Sequence, residues 1–94
     1  MFSAKVLDSG EILLAGRLDA SQIEIAENIL KPIVSSRTIN LKELDYISSA
    51  GLGILLAHQK RLNETGHSIR LTNMNKHVKD VFFLTGFDQI FEIG

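Results

Sequence analysis

Ninety-four residues are enough for one domain and too few for two. Ten Lys and Arg against eleven Asp and Glu leave a net charge of -1 with His neutral, without the basic excess of a nucleic-acid binder. No cysteine is present, which excludes disulfides, thiolate metal sites and a cysteine nucleophile.

Hydrophobic residues make up 45% and charged residues 22%, the balance of a folded chain rather than a disordered one. A chain of this size buries roughly 60–65% of its unfolded surface, so it holds a modest core and little room for a deep substrate cavity. Met1 to Gly10 lacks a basic segment followed by an apolar one, and the apolar runs are as short as Ile12-Leu13-Leu14-Ala15. The expectation is a cytoplasmic domain spanning residues 1–94, with no membrane insertion.

Phe2 to Leu7 is expected as a strand with Phe2, Ala4 and Val6 on one face. Asp8-Ser9-Gly10 is turn chemistry, and Glu11 to Leu18 is a second apolar strand broken by Gly16, which together predict a hairpin. A helix follows. Ser21 and Glu24 stand at capping-box spacing, and Asp19 lies just upstream. Ile25, Ile29 and Ile33, with Ala26 and Leu30, form its apolar stripe, and Pro32 should kink or end it.

Arg37 to Leu41 is a short expected strand, and Lys42 to Asp45 a polar connector. Tyr46 to Gly51 leads into a second helix over Leu52–Leu62, with Leu52, Leu55, Leu56 and Leu62 at helical spacing and Gly66 as its stop. His67 to Leu71 reads as a strand. Asn75 caps a third helix with Val78, Val81, Phe82 and Leu84 inside and Gly86 at its end. Phe87 to Ile93 closes the chain as a short strand. The order β-β-α-β-α-β-α-β predicts an α/β fold: a mixed, mostly parallel sheet with an antiparallel hairpin at its start.

No enzyme constellation is visible. His58, His67 and His77 are not at metal-ligand spacing and read as surface or half-buried residues. Gly51-Leu52-Gly53 lacks the third glycine of a dinucleotide fingerprint, and no Lys-Ser or Lys-Thr phosphate loop is present. Phe82, Phe83, Phe87 and Phe91 read as core, except that an exposed Phe83 would join Phe87 in a surface patch. Lys60, Arg61 and Glu64 read as a solvated, mixed-sign helix face.

One segment carries chemistry: Tyr46-Ile47-Ser48-Ser49-Ala50-Gly51-Leu52-Gly53. Its hydroxyls stand at an expected helix start, where free amides and a positive dipole favour an anion. Small neighbours leave the backbone open to a close visitor. A capping role for Ser48 or Ser49 explains the serines equally well.

This segment, preceded by Leu41-Lys-Glu-Leu-Asp45, resembles the signature of STAS domains, and more narrowly that of bacterial anti-sigma factor antagonists. Leu14-Ala-Gly-Arg-Leu-Asp-Ala20 resembles the same family's Gly-x-Leu-Asp segment. The resemblance implies a STAS fold with about three helices packed mainly on one face of the sheet, no enzymatic activity and no cofactor or metal. It implies partner switching. The unphosphorylated protein would bind an anti-sigma factor that is also a serine kinase of the histidine-kinase-like ATPase fold, freeing the sigma factor. Phosphorylation would release it, and a metal-dependent serine phosphatase would reset it. Ser49 matches the phosphorylated serine and Asp19 the aspartate beside it. Gly51 and Leu52 match the Gly-Leu after the site. Ser21, Ser48 and Gly53 complete the implied partner-binding surface. Ser48 stands where many phosphorylated members carry Asp, which makes it a rival acceptor, and Ala50 where they carry Ser or Thr. A second class of role is a non-phosphorylated STAS subunit of an ABC-type membrane transport complex, with Ser49 only a cap or contact.

Overall fold

The computed structural model describes residues 2–94. Strands β1 (Phe2–Val6) and β2 (Ile12–Leu18) form the antiparallel hairpin. Its turn needs Gly10, whose φ of +89° is open to glycine and strained for other residues. Strand β2 pairs in parallel with β3 (Arg37–Ile47), β3 with β4 (Ile69–Thr72), and β4 with β5 (Glu92–Ile93). The strands lie side by side in chain order. Parallel neighbours cannot be joined by a tight turn, so a helix crosses over between each pair. These are α1 (Ile23–Leu30), α2 (Ser49–Asn63) and α3 (Lys76–Thr85). The result is the mixed, mostly parallel α/β sheet that the element order predicts.

Ile12, Ile39 and Leu71 stand in register across the sheet, and with Leu14, Leu41 and Ile69 they are buried on one face. Ala26 and Leu30 of α1 and Leu52, Leu55 and Leu62 of α2 are buried in the same core. Phe82 of α3 packs edge-on against Phe91 at 5.8 Å between ring centroids. The alternate strand positions, among them Lys5, Leu13, Asn40 and Arg70, are half-buried or exposed.

Several local expectations are corrected. Strand β3 runs through the supposed polar connector to Ile47. Opposite Leu13–Ala15 it advances from Asn40 to Glu43, and opposite Gly16–Arg17 from Leu44 to Tyr46, so it carries an extra residue at each place. These bulges spoil the period-two alternation, and the buried positions fall at Ile39, Leu41, Leu44 and Ile47. The Asn40 side chain accepts from the Lys42 amide at 2.8 Å and supports the first irregularity. Helix α1 buries Ala26 and Leu30, while Ile25 faces solvent, because a short helix on a small sheet is covered along one narrow stripe. Asp19, not Ser21, caps the turn before it. Val6 is exposed where the first strand leaves the sheet. Leu84 is exposed and Val81 half-buried, so α3 turns only Val78 and Phe82 fully inward. Phe83 is exposed beside a half-buried Phe87.

Two polar side chains tie helices into the core. His58 is buried, not at the surface, and its Nε2 lies 2.9 Å from Glu27 on α1. Its Nδ1 accepts from Arg61 at 3.2 Å, and Arg61 also donates to the carbonyls of Ile33 and Leu30. Arg61 is thus a tie between α2 and the end of α1 rather than a solvated charge. Gln59 is 3% exposed. Its carbonyl oxygen accepts from the Ile69 amide at 2.7 Å, and its amide donates to the Ile90 carbonyl at 2.9 Å. Gln59→Leu keeps the volume and strips both partners, so it should cost about 2 kcal/mol. For a domain this size that is a fall in Tm on the order of 10 °C. Calorimetric melting of the variant checks it, and an unchanged Tm would mean that water replaces the lost bonds.

Candidate functional site

The site forms where β2 and β3 end together and α2 begins. The last rung of the β2–β3 ladder is the Ser48 amide donating to the Leu18 carbonyl at 2.9 Å. That bond brings the Asp19–Ser21 turn beside Ser48 and Ser49, two segments far apart in sequence.

Ser48 is the N-cap of α2. Its backbone is extended, its Oγ accepts from the Gly51 amide at 3.2 Å, and its carbonyl accepts from the Leu52 amide at 2.9 Å. This is the geometry that serine side chains favour at helix starts. Ser49 is the first helical residue and is exposed. First-turn amides have no partner inside the helix, so Ser49 stands at the positive end of the α2 dipole.

Asp19 caps the one-turn 3-10 helix Ala20–Gln22. Its Oδ1 accepts from the Ser21 hydroxyl at 2.6 Å and from the Ser21 amide at 3.0 Å. Gln22 donates in turn to the Ser21 oxygen at 3.2 Å. The Ser21 hydroxyl, then its amide, hold the Asp19 carboxyl below the ordinary aspartate range, and the Arg17 charge acts in the same direction. The turn is therefore fully capped above the usual aspartate pKa, and the cap is lost as pH falls through the lowered value. A carboxyl NMR titration should place the Asp19 midpoint below that of a free aspartate. In Ser21→Ala the midpoint should move up, because the leading hydrogen bond is gone. No movement would mean that the Ser21 amide and the Arg17 charge, and not the hydroxyl, set it.

The two glycines differ. A Cβ on Gly51 would lie 2.8 Å from the Leu18 carbonyl oxygen and 2.9 Å from both Ile47 Cγ1 and Leu18 Cγ. Glycine is needed there for the helix start to press onto the strand ends. A Cβ on Gly53 would meet nothing within 4 Å, and the residue is exposed. Gly51 and Leu52 are buried under the rim, so they shape the site from below. Asp19, Ser21, Ser48, Ser49 and Gly53 are at or near the surface.

The residue-by-residue reading overlooks Arg17, Tyr46 and His77. Arg17 and Tyr46 are register partners, and the guanidinium carbon stands 4.2 Å from the Tyr46 ring centroid. The His77 ring, from the first turn of α3, stacks on Tyr46 at 6.0 Å and 21°. The available signal is positional: Arg17 and Tyr46 stand two residues before Asp19 and Ser48. Among the described residues no three His, Asp or Glu side chains gather as a metal site, and no helix is long and apolar enough to cross a membrane.

Known proteins resemble this chain in sequence and in fold. The Bordetella bronchiseptica protein BtrV, named as a candidate anti-sigma factor antagonist, is 40% identical over 56 residues, which cover 60% of this chain and 48% of that protein. The chain thus matches about half the length of BtrV. The anti-sigma-B factor antagonist of Bacillus subtilis is 27% identical over 87 residues, covering 89% of this chain and 80% of that one. The structure also superimposes on SpoIIAA, an anti-sigma factor antagonist solved in two forms. The unphosphorylated form gives a TM-score of 0.77 at 22% identity, covering 100% of this chain and 88% of that one. The phosphorylated form gives 0.70 at 17%, covering 100% and 91%. At these identities the superposition speaks for the fold. The family model described as Mlab, STAS domain matches residues 2–92, and on that match the chain belongs to the STAS-domain family.

Proposed function

We propose that this chain, residues 1–94 forming one STAS domain, is an anti-sigma factor antagonist that works by partner switching. In this reading it is a regulator and not an enzyme, and it acts in the cytoplasm. Its unphosphorylated rim binds an anti-sigma factor that is also a serine kinase, and the sigma factor goes free. The kinase moves the γ-phosphoryl group of ATP to Ser49 Oγ, ADP leaves, and the complex separates. A metal-dependent phosphatase returns the serine.

The observation that carries this reading is the division of labour between the two serines. Ser48 Oγ is occupied by the Gly51 amide and is half-buried, whereas Ser49 is exposed at the helix's first position. A dianion there is met by the positive end of the dipole, so the domain keeps its fold while its surface changes sign. Among relatives, the anti-sigma antagonist names and the two SpoIIAA forms support the same reading.

The test is a pull-down from a lysate of the source organism, with the wild-type chain as bait and partners read by mass spectrometry. A histidine-kinase-like ATPase should be retained. Added Mg-ATP should release it and leave phosphate on Ser49, with none added to Ser49→Ala. A transporter ATPase retained regardless of ATP would replace this reading with that of a subunit of an ABC-type complex.

A further inference from the structure

Arg17 is exposed and makes no hydrogen bond or ion pair among the described residues, yet its guanidinium is not loose. It lies over the Tyr46 ring, and the His77 ring stacks on the same tyrosine. Cation–π contact restrains the guanidinium over the ring and leaves its N–H donors free to bond elsewhere. The nearest carboxylate along the chain is Asp19, two residues on. It is tied to Ser21 and does not pair with Arg17. A flat, oriented fork with five donors and no acceptor in its own chain is built for a planar bidentate anion. Strand register places it on the rim that holds Ser48 and Asp19.

We infer that Arg17, held over the Tyr46 ring, is a docking contact that grips a carboxylate side chain of the protein partner. This rests on the proposed partner-switching role and says which chemistry on the partner the rim reads. Arg and Tyr are the residue types in which binding energy concentrates at interfaces. The platform also matters energetically. An arginine already held in its bound orientation loses less rotamer freedom on docking than a free one. A carboxylate is favoured over a purely apolar contact because Arg17 forms no ion pair among the described residues, and Asp19, which it influences only through space, is already committed to Ser21. The same contact accounts for release. Phosphate on Ser49 offers the partner's acidic group a repulsive neighbour on the rim where Arg17 had attracted it.

The ATPase retained by the wild-type bait, once purified, is titrated calorimetrically with wild type, Arg17→Glu, Arg17→Lys, Tyr46→Leu and Arg70→Glu. Arg70 is an exposed residue of β4 away from this rim, and its reversal carries the same change in net charge. Arg17→Glu should weaken binding roughly 10- to 100-fold. Arg17→Lys should weaken it about 5-fold or more, since lysine keeps the charge and loses the fork. Tyr46→Leu should give an intermediate loss, and its melting curve is recorded to show that it is folded. Arg70→Glu should bind as wild type does. Unchanged affinity in Arg17→Glu overturns the inference. So does an equal loss in Arg70→Glu, which would mean general charge attraction. Equal affinity of Arg17→Lys and wild type would likewise remove the oriented fork. If wild type retains no such ATPase, the partner-switching reading itself fails, an outcome separate from these.

Discussion

Gly51→Val is expected to cost the domain about 3 kcal/mol or more, while Gly53→Ala, two residues along the same helix, should raise stability by about 0.5–1 kcal/mol. The opposite signs follow from where each Cβ would go. At Gly51 all three nearest atoms lie under 3.0 Å, and the nearest is the Leu18 backbone oxygen. That oxygen also accepts from the Ser48 amide, so it cannot retreat without breaking the ladder's last rung. The helix start must lift instead, which uncovers Leu18 and Ile47, both buried. At Gly53 the space is open, and alanine removes freedom from the unfolded chain at no steric cost. Thermal melts of both variants check this. The lesion at Gly51 should appear as lost stability together with lost partner binding. Gly53→Ala should melt higher and bind more weakly, if a partner approaches the bare backbone there. A Gly51→Val protein that melts with wild type would show that the strand ends yield more easily than the packing implies.

The parts of the fold that follow local rules are legible in the sequence. Asp8-Ser9-Gly10 reads as a turn because a positive φ is glycine's region. Asn75 reads as a cap because its side chain reaches the third amide on, and it does so at 2.8 Å on Val78. What depends on two chains of residues meeting was hidden. The extra residues of β3 appear only when β2 is laid beside it, so Lys42 to Asp45 looked like a connector. Gln59 sits among helix residues with no sign that it faces a strand amide. Arg61 belongs to a charged run, and only the closeness of His58 and two carbonyls gives it a buried task. At the site the motif residues could be named from sequence, because capping chemistry is local and the resemblance supplies the roles. The meeting of the Asp19 turn with the start of α2, and the contacts of Arg17 and His77 with Tyr46, are products of register and tertiary packing.

Ser49→Asp should lower affinity for the ATPase partner at least roughly 10-fold while moving stability by less than about 0.5 kcal/mol. The stability side is set by position. An acidic group in the first turn of α2 interacts favourably with the helix dipole by about 0.3–1 kcal/mol, which offsets its repulsion from Asp19 on the same rim. Aspartate carries one charge where phosphoserine carries about 1.5 to 2, so the true modification should act more strongly in the same direction. Ser48→Ala is the informative contrast. It removes the oxygen that accepts from the Gly51 amide and should cost about 1 kcal/mol of stability, as capping losses do. Its binding should persist once melting shows that it is folded at the assay temperature. Ser49→Ala should bind and then resist release by Mg-ATP. The two serines are thereby separated by two readouts, one moving stability and the other moving docking. Calorimetric titration with melting curves on all three variants decides the matter. If Ser49→Asp binds like wild type, charge at the head of α2 does not govern the partner. If Ser48→Ala is the variant that resists release, the phosphate belongs on the capping serine, and α2 must then give up its cap each time the switch is thrown.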